Sequence, residues 1–538
     1  MAQERTKPVD VAVVGAGVSG LYGAWRLKEA HPDWRIVVYE SSDYRTGGRL
    51  MSAIPPEMPH VPAELGGMRF LNTQPIVAAL AKHLKLTILD FPVSEANNIA
   101  YLRGRWLRRS DLTDPAKVPY ALGTQERGQP IGAIMEAAME TIVPGITAPS
   151  LTPQQRRELA QATTFLGRPL YEWGFWNVLA RVMSFEAYQF VADASGYDTT
   201  VSNWNAADAI PWFLEDFGTN VKYVFPTTGM QSFPHGIEAS FKTIQGEVLL
   251  NHTVTSVSRQ GEKLRLHFNA RDYVDADRVI LAMPRRSLEL IDLDAAFGAA
   301  MPRVRVLIES VSPQPLFKLF ACYRVPWWRH ALLNVKQGQT TTDVPIRQTY
   351  YFRTEGEQPG ADPKNTNSLL MATYDDGRNI RYWIGFLREA ERAERFADGA
   401  AGQGDEQWQR NRPTPAMVEE IHRLVAQVHG LAPDAVPKPY AAAFYDWGTD
   451  PFGGGYNLWK IHARSADVAR EIVQPDAALP LYVCGEAYSH AQGWVEGALE
   501  TAEDMLQRCF GLGPPSWLHP SRTAQKGETT TESATLRF

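Results

Sequence analysis

The stretch VDVAVVGAGVSGLYGAWRLKEA, Val9 to Ala30, with WRIVVYE, Trp34 to Glu40, behind it, decides the fold. A β-branched run from Val9 to Val14 stops at glycines and gives way to Leu21, Ala24 and Leu27 at helical spacing. A second buried strand then ends at Glu40, which completes a βαβ unit. Gly15, Gly17 and Gly20 stand as GxGxxG between strand and helix. In such a turn the first glycine reverses the chain tightly, the second lets a pyrophosphate approach the backbone, and the third packs helix on strand. The helix start, with Val18 and Ser19, offers amide donors and the positive end of a dipole to phosphates. Glu40, followed by Ser41, lies twenty residues past Gly20, where an acid binds a ribose diol. The reading is a Rossmann-like dinucleotide-binding fold of the α/β class.

The motif alone does not separate NAD from FAD, but its surroundings do. After Glu40 the chain reads SSDYRTGGRLMS, with Arg45, Gly47, Gly48 and Arg49 in one turn suited to crossing a diphosphate. At the far end, CGEAYSHAQGWVEGALETAEDML supplies Gly485, Glu486, Gly493 and another helix start. Helix amides aimed at a flavin would stabilise the negative charge that appears on its reduction. Two phosphate-type devices more than 400 residues apart, serving one site, fit a long FAD better than NAD.

The 538-residue chain is 44% hydrophobic and 21% charged, enough for two or three domains with sizeable cores. A formal charge of −6 asks for neither nucleic acid nor an anionic membrane. Cys322, Cys484 and Cys509 form no CxxC pair or His/Cys cluster, so buried reduced thiols and no metal are expected. The polar start MAQERTKPVD lacks the apolar core of a secretory signal, and no run of about 18 uncharged apolar residues occurs. A cytoplasmic protein without a membrane segment is therefore expected.

Along the chain a helix is expected through TQPIVAALAKHL, and a helical, aromatic-rich pattern from about Glu136 to Phe217. Thr152, Pro153 and Gln155 make a helix start with an N-cap, a proline at the first turn and a capping box. Strands follow in GEVLLNHTVTSVSRQGEKLRLHF, DRVILAMP, LFKLFACYRV, IRQTYYF and SLLMATYD. Thr414-Pro415 opens a helix with Val418, Ile421, Val425 and Val428 on one face, and the piece from Ala397 to Pro415 reads as a surface loop. The expected organisation is mixed α and β. Residues 8–72, 229–310 and 449–513 form an FAD-binding domain, and 73–130 with 311–448 a mixed-sheet substrate domain. Residues 131–228 form a helical domain and 514–538 a disordered tail.

The patterns VVGAGVSGL…VVYE…RTGGRL and CGEAYSHAQGWVEGAL are similar to the FAD-binding signature of the flavin amine oxidase superfamily. Within it, ELGGMRF, the TTTDVPIRQTYY region and YDWGTDPFGGGYNLW resemble the FAD-dependent L-amino-acid oxidases of the venom and bacterial kinds. The resemblance runs from about Val9 to Phe510 and is thin in the helical middle. It implies that contacts to FAD extend to Gly66, Gly67, Met68, Arg69, Val254 and Val495. It also implies noncovalent FAD, because FGGGYNLW offers Gly455 and Tyr456 where covalently flavinylated relatives carry cysteine.

Arg69 matches the position at which that family binds the substrate carboxylate, a role suited to a planar fork of donors; an internal ion pair is the other reading. Lys318 matches the lysine that hydrogen-bonds a water near the flavin N5, and a buried lysine has a lowered pKa. Tyr374 is the candidate for a second carboxylate donor, with Thr373 one residue away as the alternative. Trp447 and Trp494 resemble the aromatic residues that frame the substrate, and Gly493 the residue whose carbonyl faces the substrate amine.

The activity implied is oxidative deamination of L-α-amino acids. Hydride leaves Cα for flavin N5, water releases the 2-oxo acid and ammonia, and dioxygen becomes hydrogen peroxide. The rivals are a decarboxylating, amide-forming monooxygenase, a quinone-linked dehydrogenase, an amine or polyamine oxidase, and a non-catalytic flavoprotein scaffold. An acid in the pocket wall would favour lysine or arginine as substrate; the aromatic density from Tyr171 to Trp176 favours a broad or apolar preference. The sequence does not fix an oligomeric state, a homodimer being the working expectation.

Overall fold

The computed structural model describes residues 8–198, 201–217, 222–269, 272–387, 394–400 and 402–518. Strand β1 (Val9–Val14) lies parallel to β2 (Ile36–Tyr39) on one side and to Tyr273–Ala282 on the other. Covered on both faces, β1 needs apolar side chains at almost every position, so its sequence does not alternate. Glu247–Leu249 extends the sheet beyond β2, while Lys263–Phe268 and Val254–Gln260 close the other edge. Leu481–Cys484 joins in parallel at the end of Tyr273–Ala282, so this seven-stranded sheet gathers three distant parts of the chain.

Helix α1 (Val18–Ala30) packs against the C-terminal helix Val495–Phe510. The buried Arg26 ion-pairs with Glu503, and the Tyr22 hydroxyl donates to the same carboxylate at 2.5 Å. This buried pair fixes the two nucleotide-type helix starts relative to each other. The carboxylate of Glu496 accepts from the amides of Ile76 and Val77 at 2.9 and 2.8 Å, capping the helix Pro75–His83 from outside. The segment that follows Arg69 is thereby tied to the C-terminal helix.

A second seven-stranded sheet runs in the order Ala441–Asp446, Phe317–Tyr323, Ser368–Asp375, Gln348–Thr354, Gly338–Thr342, Ile99–Leu102, Arg105–Arg108. Lys318 stands on an interior strand of it, opposite Tyr374 and Tyr445. Helices Ile131–Ile142, Pro153–Ala162, Phe175–Val182, Phe185–Ser195 and Ala206–Asp216 build a separate apolar cluster. Its first helix opens at Ile131 rather than near Glu136. Thr152 caps Pro153–Ala162 as its sequence predicts, with Gln155 N donating to its hydroxyl at 3.2 Å and Gln155 Oε1 accepting from Thr152 N at 2.9 Å.

Two expectations change. The loop expected from Ala397 to Pro415 contains the helix Glu406–Arg410, capped by Asp405, and its Trp408 is wholly buried. At the C-terminus Trp517 stacks on Trp25 with ring centroids 6.3 Å apart, so residues 514–518 pack rather than trail; the remainder of the expected disordered tail lies outside the described residues. Among the described residues no helix is long and apolar enough to cross a membrane.

Candidate active site

Two cavities meet between the sheets, sharing Arg49, Gly67, Arg69, Gly455, Gly493 and Trp494. The larger, about 440 Å³, runs from Glu40 and Ser41 past Gly15, Gly17 and Gly48 to Gly485 and Val495, with Val254 on its wall. Its floor has no room for side chains. A Cβ on Gly15, whose φ is +102°, would come 2.7 Å from the Ala282 carbonyl oxygen, and one on Gly48 would come 3.2 Å from Gly17 Cα. Glu40 is held at the far end, its carboxylate accepting from Ala16 N at 2.8 Å and Ser42 N at 2.9 Å. The two helices that begin here, at Val18 and Val495, have no side-chain cap, which leaves their first amides open to a ligand. An acid, a bare glycine floor and two uncapped helix starts fit a dinucleotide flavin.

Not every residue expected at the cofactor lies there. Arg45 is off the cavity, directed at the Thr46 carbonyl at 3.5 Å, and the turn presents Gly47, Gly48 and Arg49 to it instead. Gly20 is also off it and does the packing job alone, since a Cβ there would sit 2.0 Å from the Gly15 carbonyl oxygen. Gly66 and Met68 line only the smaller cavity. Glu486 reaches the cavity but its carboxylate is committed to the protein. It ion-pairs with Arg49 at 2.8 Å and accepts from Gly493 N at 2.7 Å and Asn457 N at 3.0 Å, bracing the glycine turn against the C-terminal segment.

The smaller compartment, about 130 Å³, brings together Arg69, Lys318, Tyr374, Trp447, Gly493 and Trp494. Arg69 is half-buried and lines both compartments where they meet. It donates to the Tyr197 hydroxyl at 3.0 Å, and its guanidinium covers the Tyr223 ring 4.1 Å from the centroid. No carboxylate lies within ion-pair distance of it among the described residues. Tyr374 lines the cavity with its hydroxyl unbonded among the described residues, whereas Thr373 faces away and gives its hydroxyl to the Ile346 carbonyl at 3.0 Å. Trp447 is anchored by its indole N–H on the Leu65 carbonyl at 2.8 Å, and Trp494 by its own on Asp216 at 2.5 Å.

Lys318 Nζ donates to the Gly66 carbonyl at 2.5 Å and the Glu64 carbonyl at 3.2 Å. Burial drives its pKa down to about 7, with the Glu64 carboxylate opposing and Arg69 assisting. Glu64 is wholly buried and rises to about 7 for the same reason, held by Ser52 Oγ at 2.7 Å and Met230 N at 2.8 Å. A neutral amine with two N–H bonds to two carbonyls has its lone pair left for the cavity, so this geometry suits a proton acceptor.

Sequence reasoning missed much of the wall. Tyr197, Trp212, Asp216, Phe217 and Tyr223 all line the compartment, and Tyr350 reaches Arg69 at 3.5 Å. The aromatic group Tyr171 to Trp176, expected to shape the pocket, does not line it: Trp173 packs on Phe165 and Trp176 on Tyr188, outside the cavity.

Comparison with known proteins agrees with this arrangement. A model of the flavin containing amine oxidoreductase family matches residues 18–505. Aplysianin-A of Aplysia kurodai is 26% identical over 96% of this chain and 93% of its own length. An L-amino-acid oxidase of Mus musculus is 24% identical over 69% of this chain and 54% of that one. A solved structure of a redesigned putrescine oxidase superposes with a TM-score of 0.62 at 19% identity, covering 93% of this chain and 99% of that one, a likeness of fold. A flavin is therefore the cofactor for which the large cavity is built, and the chain belongs to the flavin-containing amine oxidoreductase family.

Proposed function

We propose that this protein oxidises L-α-amino acids to 2-oxo acids, releasing ammonia and hydrogen peroxide, with noncovalent FAD. The observation that carries the reading is Arg69, a guanidinium facing the small cavity with no carboxylate within ion-pair distance among the described residues. A bidentate carboxylate matches that fork, and the Tyr374 hydroxyl on the same cavity supplies a further donor. Oxidation of a simple amine would leave the guanidinium without a carboxylate and the hydroxyl without an acceptor. Among the described residues no cysteine lines either compartment, which supports noncovalent binding.

The residues of the chain act by holding and by moving one proton. Arg69 and Tyr374 fix the carboxylate and so the direction of the Cα–H bond, and such positioning can supply ~7 kcal/mol or more of the barrier. Trp447 and Trp494, locked by their indole bonds, limit the remaining freedom. Lys318 Nζ takes the proton that the substrate ammonium must lose, directly or through one water. When bound, the flavin supplies the two-electron oxidant for the Cα–H bond and is regenerated by dioxygen.

The test mixes the purified yellow protein anaerobically with single L- and D-amino acids while flavin absorbance is followed. Air is then admitted and peroxide, ammonia and carbon dioxide are assayed. Bleaching by L-forms, then peroxide and ammonia without carbon dioxide, is the expected result. Carbon dioxide with an amide product would make the protein a monooxygenase, and bleaching by amines alone would overturn the role given to Arg69.

A further inference from the structure

We infer that Asp216 reads the far end of the substrate, and that the amino acids oxidised are those with a cationic side chain, an ammonium or guanidinium. The inference rests on the carboxylate role of Arg69 and extends it. Asp216 is the last residue of the helix Ala206–Asp216, is only 4% exposed, and lines the small compartment. One oxygen, Oδ2, accepts the Trp494 indole N–H at 2.5 Å; the other, Oδ1, has no hydrogen-bond partner among the described residues. No lysine or arginine stands within ion-pair distance of it among the described residues. Its neighbour Glu215 is already paired with Arg157 at 2.9 Å.

Three physical facts converge on a cationic side chain at that oxygen. A buried carboxylate without a counter-ion is costly, and here burial, with Glu215 adding to it, pushes the pKa well above the ordinary carboxylate range against the pull of Trp494 and Arg69. The negative end of the helix dipole falls on the same residue, where an acid is disfavoured and a cation favoured. The surrounding wall is Trp212, Phe217 and Tyr223, apolar rings against which the alkyl stem of such a side chain would pack. Holding the Trp494 indole needs only one acceptor oxygen, which a carbonyl or amide would provide without burying an acid. The second oxygen is what the cationic end of a substrate would take.

The first test needs no turnover. Binding of 6-aminohexanoate and of hexanoate to the flavin-loaded protein is measured by calorimetry; both carry the carboxylate and only the first carries the ω-ammonium. Wild type should bind 6-aminohexanoate about 30-fold more tightly or better, and Asp216→Asn, which keeps the acceptor for Trp494 and loses the charge, should reduce that ratio to about 3 or less. In turnover, the preference in kcat/KM for L-lysine over L-norleucine, which lacks only the ε-ammonium, should fall by a similar factor. If wild type oxidises L-norleucine as well as L-lysine and binds the two acids equally, the inference fails while the amino-acid reading stands. If Asp216→Asn weakens both members of each pair alike, Asp216 only braces Trp494. If neither amino acid is oxidised, the reading of Arg69 falls and takes the inference with it.

Discussion

Replacing Arg69 by methionine removes the proposed carboxylate fork with little other damage. Its guanidinium has no acid partner in the protein among the described residues, so no buried carboxylate is orphaned. The Tyr197 hydroxyl that loses a donor still has the Tyr350 hydroxyl at 3.3 Å, and a methionine stem can lie on the Tyr223 ring as the arginine does. Two charge-assisted hydrogen bonds contribute ~1.5–3 kcal/mol each, ~3–6 kcal/mol together, or a factor of about 10² to 10⁴ in kcat/KM. The assay compares L-norleucine with pentylamine, the same molecule without its carboxylate. The wild-type preference for the amino acid should fall by that factor in Arg69→Met while flavin content and the yellow spectrum persist. Arg69→Lys should recover part of it, because a point charge attracts the carboxylate but cannot grip it with two parallel bonds. An Arg69→Met enzyme within about threefold of wild-type kcat/KM for norleucine would refute the reasoning. So would equal losses on both compounds.

Other substitutions probe the remaining parts of the site. Because Lys318 must be neutral to accept a proton and its pKa lies at about 7, kcat should decline as the pH falls through about 7. Lys318→Met should abolish that acid limb and lower the plateau by about 10²; a pH–rate profile of kcat that keeps its limb would show that the lysine is not the titrating group. Gly15→Ala places a Cβ 2.7 Å from the Ala282 carbonyl oxygen at a φ of +102°, so the purified protein should be flavin-poor by its absorbance ratio. Heat denaturation of the wild type should release all flavin into the supernatant, and colour left on the precipitated chain would contradict noncovalent binding. Trp408→Ala empties a wholly buried site and should cost ~3–5 kcal/mol, read as a lower midpoint of the first urea transition. An unmoved midpoint would mean that the helix Glu406–Arg410 contributes nothing to the fold.

What the sequence revealed and what it hid follow from the range of the interactions involved. β1, α1 and Glu40 were legible because a β-branched run, glycine spacing and helix period are all local. Thr152 with Gln155 and Thr414 with Pro415 were legible for the same reason. Arg69 and Lys318 came from resemblance, and the structure puts both on one cavity. Whether Tyr374 or Thr373 faces that cavity was open because the register between Phe317–Tyr323 and Ser368–Asp375 shifts at Leu319/Phe320, and such a bulge leaves no sequence signal. Trp408 did carry a signal, an Asp405 N-cap three residues before it, lost in a stretch that otherwise reads as loop. Tyr197, Asp216 and Tyr223 gave none, since only tertiary packing brings these separate segments to the compartment of Arg69.

The electrostatics of the small compartment also set how selective it can be. Arg69 and Asp216 line the same space but do not lie within ion-pair distance of each other, so neither relieves the other's desolvation by direct contact. A ligand with an anionic and a cationic end relieves both. A ligand with only the anionic end relieves Arg69 and leaves Asp216 without a cation, where its raised pKa favours the protonated form over a buried charge. The penalty on an apolar side chain is thus one poorly satisfied buried carboxyl, ~1–3 kcal/mol, rather than an unpaired charge. That bounds the discrimination between lysine and norleucine at about 10 to 10² while Asp216 is protonated, and it should grow as the pH rises and protonation becomes harder to maintain.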